Sequence, residues 1–512
     1  MTRILIVALT LLTLLLPSAG WAVTQTVNGP WRLLDGHTNE NSVKILPAVA
    51  PGRYGRVTAT WEMQIAPGGK GASFALLPTE GAKGNAAPVG VAWDSPALPG
   101  VFAVVFTVYD PPTENPFNAD GNIAGRPQRE VALYWNGAEV VRRFSPVEFR
   151  TAKGVPVQVT AAFVCGGANV SVRIAGVGVY TNYFVPDMVP YASQAAFGGS
   201  TGKKSVTRLT IRNVTVTWQH PVSKSPAPLV IDALNQTPLD STHHQQSRTV
   251  TFPANTDRYG RILCRLTLGR SKGGYDPWDR QAAIYAYAPD GERFEIVRFI
   301  TPYGRGFTWN VDVSDYRSLL RESCKIEADC GTYGNGWLTS VSFRFYPGHP
   351  SQLAYKVMNL WHGEPTIGDP AHPISEFFTP QIITRDPQAD AVILRFTVTG
   401  HGQAPNTDDA AEFLPTWRFV GINGIQFPNL LWKTDNYLNP CSPQGGTWKY
   451  DRAGWGPGTV VTPWDINAAE WMPPGQPSTV TYQESPYVNK TPTPGNPPRH
   501  WTESQVIFFR KN

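Results

Sequence analysis

In the run Val57-Thr58-Ala59-Thr60-Trp61-Glu62-Met63-Gln64-Ile65 every odd-numbered position is apolar and every even one polar. A period of two sorts side chains onto the two faces of an extended strand; a helix would scatter the same pattern around its circumference. Short strand-like runs recur along the chain, cut apart by 47 glycines and 47 prolines among 512 residues. Punctuation that dense suits tight turns and argues against long helices, and 12% aromatic residues with 16% charged argue against disorder. The expected fold class is all-β.

Glu130–Trp135 and Ala138–Phe144 flank Asn136-Gly137, a strong short hairpin signal. Leu209 and Ile211 keep one phase of alternation while Val214, Val216 and Trp218 keep the other, which predicts a bulge at Asn213. Residues 23–220 thus read as one β-sandwich. Phe197-Gly198-Gly199 ahead of its last strand resembles the concanavalin-like lectin sandwiches at the level of fold. Asn118-Ala119-Asp120-Gly121-Asn122 reads either as a calcium loop with alternating oxygen ligands or as a plain Asx-Gly turn. Residues 221–228, rich in Pro, Ser and Lys, read as a linker to two further β units, 229–355 and 356–512. Arg258-Tyr259-Gly260-Arg261-Ile262 echoes Arg53-Tyr54-Gly55-Arg56-Val57, each leading into a strand. Asp315–Arg321 is the one short helix expected, with Asp315 as its cap, and the C-terminal tail is expected to be irregular apart from Ser504–Phe509.

Residues 1–22 have the form of a signal peptide: Arg3, an apolar run from Ile4 to Leu16, then Gly20-Trp21-Ala22. They predict export, to the periplasm or outside the cell. No later apolar run reaches eighteen residues, so no membrane span is expected. The net charge of +5 is not gathered into Lys/Arg blocks, which removes the electrostatic footprint of a nucleic-acid binder. The five cysteines leave at least one without an intramolecular partner; Cys324 and Cys330 are near enough in sequence to close a small loop, and no CxxC pair suggests zinc. The nine histidines contain no His-x-His pair, which argues against a copper monooxygenase.

One loop stands out chemically. Gly273-Gly274-Tyr275-Asp276-Pro277-Trp278-Asp279-Arg280 lies between the strand-like runs Ile262–Leu268 and Ala282–Ala286, and brings a Trp, a carboxylate and a guanidinium to a sheet edge. Ala391–Gly400 repeats the pattern of a strand ending in glycine, followed by an acidic residue beside an aromatic, here Glu412 and Phe413. Two such units side by side bring two acidic loops to one seam.

Across about residues 240–470 the chain resembles the bacterial peptide-N4-(N-acetyl-β-glucosaminyl)asparagine amidase F family. The resemblance rests on Trp278-Asp279-Arg280, Arg298-Phe299-Ile300-Thr301-Pro302-Tyr303, Val311–Asp315, Gly400-His401-Gly402 leading to Ala411-Glu412, and Asp451-Arg452-Ala453-Gly454-Trp455 followed by Pro457-Gly458, in the family's order. It implies two antiparallel jelly rolls packed side by side with the site between them. It also implies cleavage of the asparagine–GlcNAc amide of N-glycoproteins or glycopeptides, with no metal or cofactor. Matched position by position, Asp279 is the principal catalytic carboxylate, Glu412 the second and Asp329 the third. Arg280 and Arg452 orient and charge-balance them, and Trp278 and Trp455 wall the groove. Arginines beside carboxylates favour the ionised form.

The chain also departs from the family. Asp329 stands where the family has a glutamate, which predicts a looser pairing with Arg452; Glu327 is the other candidate for that position. Arg270 and Tyr275 replace a disulfide ahead of Asp279, and Gly273-Gly274 offers a tight turn instead. The cysteines flanking Glu412 are absent, with Pro415 on one side. The alternatives are a glycan-binding protein without turnover and glycoside hydrolysis by paired carboxylates.

Overall fold

A computed structural model describes residues 22–48, 50–66, 71–80, 88, 90–107, 129–203, 206–402, 411–488 and 497–512. Residues 1–21 of the expected signal peptide and the Asn118–Asn122 loop lie outside the described residues. The chain divides after Pro226 into two units with separate cores. Every strand pairing among the described residues is antiparallel, and none of these residues lies in an α-helix.

In the first unit the strand Arg53–Ile65 buries Val57, Ala59, Trp61, Met63 and Ile65 and half-exposes the residues between them, as the period of two demands. It lies within a seven-stranded sheet, which faces a six-stranded one across a single core. Trp61 anchors that core, its ring 5.4 Å from Phe74 and 5.3 Å from Phe197. The Asn136-Gly137 hairpin forms with both residues at positive φ (52° and 83°), the twist that a two-residue turn between strands requires. The bulge expected at Asn213 is present: the register shifts between Arg212 and Thr215.

The second unit holds two sandwiches. In the first, Leu229–Leu239, Trp337–Pro347, Tyr259–Gly269 and Thr308–Asp312 face Gln245–Thr251, Ser323–Cys330, Gln281–Tyr287 and Arg293–Ile300. In the second, Gln352–Gly363, Arg499–Lys511, Ala391–His401 and Trp464–Asn467 face Gln381–Thr384, Pro477–Glu484, Thr416–Ile422 and Ile425–Leu431. Strand neighbours are mostly distant in sequence, the crossover pattern of jelly rolls. The two rolls share structure. Thr459–Val460 from the second adds a fifth strand beside Arg293–Ile300, and Ala354, Val357, Ile507 and Phe509 pack into the first roll's core. Arg298, fully buried, pairs with Glu295 at 2.8 Å and donates to the Thr397 and Trp501 carbonyls of the other roll.

Three expectations are corrected. Cys324 and Cys330 carry no disulfide; both lie on the strand Ser323–Cys330, where six residues of extended chain separate them by roughly 20 Å. Ser314–Tyr316 forms only a 3₁₀ turn without a side-chain cap, because the Asp315 carboxylate accepts from Arg395 at 2.8 Å instead of from the backbone; Ile374–Glu376 and Asn436–Leu438 form two further such turns. The tail is more regular than expected. Arg499–Lys511 is a strand between two others, and burial on both faces hides the alternation that would have marked its first half.

Candidate active site

The loop after Tyr259–Gly269 turns at once: Gly274, at φ +100°, donates its N–H to the Ser271 carbonyl at 3.1 Å. Asp276 then dives into the protein, fully buried. Its carboxylate accepts from the Thr332 hydroxyl and from the Trp278 N–H (2.9 Å), and Arg280 stands 3.5 Å away. Its backbone donates to the Gly336 carbonyl (3.2 Å) and accepts from the Gly304 N–H (3.0 Å). Gly334 passes so close that an added Cβ would lie 2.8 Å from the Asp276 carboxylate. One buried acid thus fastens the loop to residues 332–336, in the region where the family resemblance implies a disulfide.

Beyond that knot the Arg280 N–H donates to the Thr301 hydroxyl at 2.7 Å, so residue 279 is held between two fixed points. Asp279 lines a cavity of about 1010 Å³, with the Tyr303 hydroxyl near its carboxyl. Burial pushes the Asp279 carboxyl up, against the pull of Arg452, Tyr303, its own backbone N–H and Arg280.

Glu412 enters the same cavity from the second roll. Its carbonyl accepts from the Ala453 N–H at 2.9 Å, and the neighbouring Ala411 carbonyl lies against Gly400 where a Cβ would clash. Burial raises its carboxyl to about 7; Arg452 opposes the rise and the charge of Asp279 adds to it. The arginines favour the ionised form of both acids, as expected, and desolvation works against them, most strongly at Glu412.

Arg452 is fully buried near both acids. Its guanidinium is held by the Thr447 carbonyl (2.8 Å), the Thr447 hydroxyl (2.7 Å) and the Tyr450 carbonyl (3.1 Å). Its contact with Glu412 is longer, 3.4 Å, so it acts there more as a fixed charge than as a clamp. Trp455 packs on it at 4.8 Å, stacks on His401 at 5.0 Å and donates its indole N–H to the Gly400 carbonyl at 2.7 Å.

The strand Gln281–Tyr287 forms part of the cavity wall, with Gln281, Ala283 and Tyr285 along one face. Six residues from Asp279 to Tyr285 span roughly 20 Å of extended chain. Toward the far end lie Glu292, Arg293, Asp329 and Asn359. Asp329 lines the cavity, but its partners are Arg293 (2.8 Å) and Gln245 (2.9 Å), not Arg452 as expected. Glu327 does not line it: it binds Arg293 (2.9 Å) and the Tyr287 hydroxyl (2.9 Å). Trp278 is corrected too. It is 59% exposed and outside the lining, because the chain bends at Pro277-Trp278, where the Trp278 N–H folds back onto the Asp276 carboxylate and the indole is left outside. Sequence reading missed the roles of Asp276 and Tyr303, although both lie inside motifs it quoted. Glu503, also in the lining, fell one residue short of the strand it recognised.

A family model described as "Peptide-N-glycosidase F, C terminal" matches residues 374–507. The peptide-N(4)-(N-acetyl-beta-D-glucosaminyl)asparagine amidase F of Elizabethkingia miricola is 30% identical over 244 residues, 43% of this chain and 67% of that protein. The chain belongs to the peptide-N-glycosidase F family. Among solved structures, the peptide-N-glycosidase F of Flavobacterium meningosepticum aligns at 24% identity over 56% of this chain and 97% of its own, with a TM-score of 0.48. PNGF-II aligns at 13% identity over 89% of this chain and 98% of its own, with a TM-score of 0.46.

Proposed function

We propose that this member of the family hydrolyses the amide bond between asparagine and the innermost GlcNAc of N-glycans. The observation that carries the reading is the facing of Asp279 and Glu412 into one cavity beside the immobilised charge of Arg452. An amide is a poor electrophile with a poor leaving group, so its hydrolysis needs an activated water, a cation near the developing oxyanion and a proton for the nitrogen. Of the two acids, Asp279 has the Tyr303 hydroxyl, its own N–H and two arginines favouring its ionised form, which suits it to the role of base. It takes the proton of a water that attacks the amide carbon. Glu412, with its carboxyl near 7, holds a proton that passes to the nitrogen, directly or through a water, as the C–N bond breaks. The products are an aspartate side chain and a glycosylamine. Asp329 and Arg293 line the cavity further along, where the sugars beyond the first would lie.

The test is digestion of a denatured N-glycoprotein in heavy-oxygen water. The expected result is one labelled oxygen in a new aspartate at each site. A GlcNAc stub left on asparagine would replace this reading with endoglycosidase action, and unchanged substrate would leave a binding protein. Asp279→Asn is expected to lower the rate at least a hundredfold with the melting curve preserved; retained activity would remove Asp279 from its role.

A further inference from the structure

Glu503 lies on the strand Arg499–Lys511 between Trp501 and Gln505, and these three alternate positions share the face turned toward Arg293–Ile300. Trp501 stacks under the Arg298 guanidinium at 3.7 Å, and Gln505 donates to the Glu295 carbonyl at 3.1 Å. Glu503 is 8% exposed, lines the cavity, and has no hydrogen bond to its carboxyl from any described residue. The Arg298 guanidinium is directed to other acceptors. Arg298 gives Nε and Nη2 to Glu295 and Nη1 to the Trp501 and Thr397 carbonyls.

We propose that Glu503 is a specificity-determining contact of the cleft, donating a hydrogen bond from its carboxyl to a carbonyl oxygen of the bound saccharide. The identity of the saccharide rests on the amidase reading: the acetamido group of a GlcNAc residue supplies that oxygen. A donor requires the acid form, and the surroundings favour it. Burial raises the carboxyl, the charges of Glu295 and Glu292 add to the rise, and Arg298 and Arg293 oppose it. On its own sheet Glu503 stands in register with His362 on one side and with the uncharged Thr397 on the other, and Asp329 lines the same cavity. An acid buried beside a Glu–Arg ion pair and hydrogen-bonded to no described residue keeps its proton and presents it to the cavity. The isosteric amide would do the same work; a carboxylate would not.

N,N′-diacetylchitobiose binding measured by calorimetry on the full chain, from pH 7 to pH 10, tests this. At pH 7 Glu503→Ala is expected to weaken binding about tenfold, the loss of one buried hydrogen bond, while Glu503→Gln stays within about twofold of the parent. As the pH rises across this range the parent's affinity should fall toward that of Glu503→Ala while Glu503→Gln holds. Glu503→Gln as weak as Glu503→Ala, identical pH profiles for the parent and Glu503→Gln, or no chitobiose binding by the parent would each overturn the proposal. Glycan release assayed in parallel separates the two readings. The expected chitobiose pattern without release supports Glu503 and removes the amidase reading; release with one KM for all three proteins removes Glu503.

Discussion

Glu412 is asked to do two things that oppose each other. Chemistry at neutral pH wants an acid whose proton is exchangeable there, and burial beside Asp279 provides it by raising the carboxyl from 4.5 to about 7. The fold bears the cost. Below 4.5 folded and unfolded chains both carry the proton; between 4.5 and 7 the unfolded chain loses it while the folded chain keeps it. Stability from this group therefore falls as pH rises through that window and levels off above it. The full span corresponds to up to about 3 kcal/mol. Glu412→Gln cannot ionise, so urea denaturation should find it more stable than the parent by a margin that opens between pH 5 and pH 8. Its glycan release should fall by about a hundredfold or more. A margin that shrinks with rising pH would mean that Glu412 is ionised in the folded state well below neutrality.

Among the elements, the loop from Gly273 to Arg280 shows what a single buried residue can replace. A disulfide braces a loop through a covalent closure; here Asp276 does so through the Thr332 hydroxyl, the Trp278 N–H and two backbone hydrogen bonds to other segments. Thr332 is itself fully buried, so Thr332→Val changes little in shape while removing one donor to a buried carboxylate. The expected loss is about 1–3 kcal/mol of stability. Because Asp279 lies three residues on, kcat should fall several-fold with KM little changed; an unchanged kcat would show that the loop keeps its shape without this bond. The turn at Gly273-Gly274 was legible in the sequence because glycine at positive φ is a local property. The brace was not. It depends on Asp276 meeting Thr332, 56 residues away, and nothing in the octapeptide says which of its two aspartates turns inward to the core and which faces the cavity. The same reason explains Trp278, whose exposure follows from the bend that its N–H makes onto Asp276.

For the whole molecule, period and punctuation disclosed the all-β class, the Asn136-Gly137 hairpin and the Asn213 bulge, since each is written in residues close in sequence. Strands buried on both faces, such as Arg499–Lys511, lose that signal, and with it went Glu503. The division of the chain into units has a functional consequence. Every described residue lining the cavity lies between Asp279 and Glu503, and the cores of both jelly rolls are built within Ala227–Asn512. The first unit closes its own core around Trp61, Phe74 and Phe197. A chain reduced to residues 227–512 is therefore expected to fold cooperatively and to release glycan from a short glycopeptide with kcat and KM within about threefold of the full protein. The first unit would then matter only for substrates larger than the cavity, and intact folded glycoproteins are where the two proteins should diverge. If the shortened chain is soluble and well folded yet inactive on the short glycopeptide, the site needs the first unit, and the cavity between the two rolls is not sufficient for catalysis.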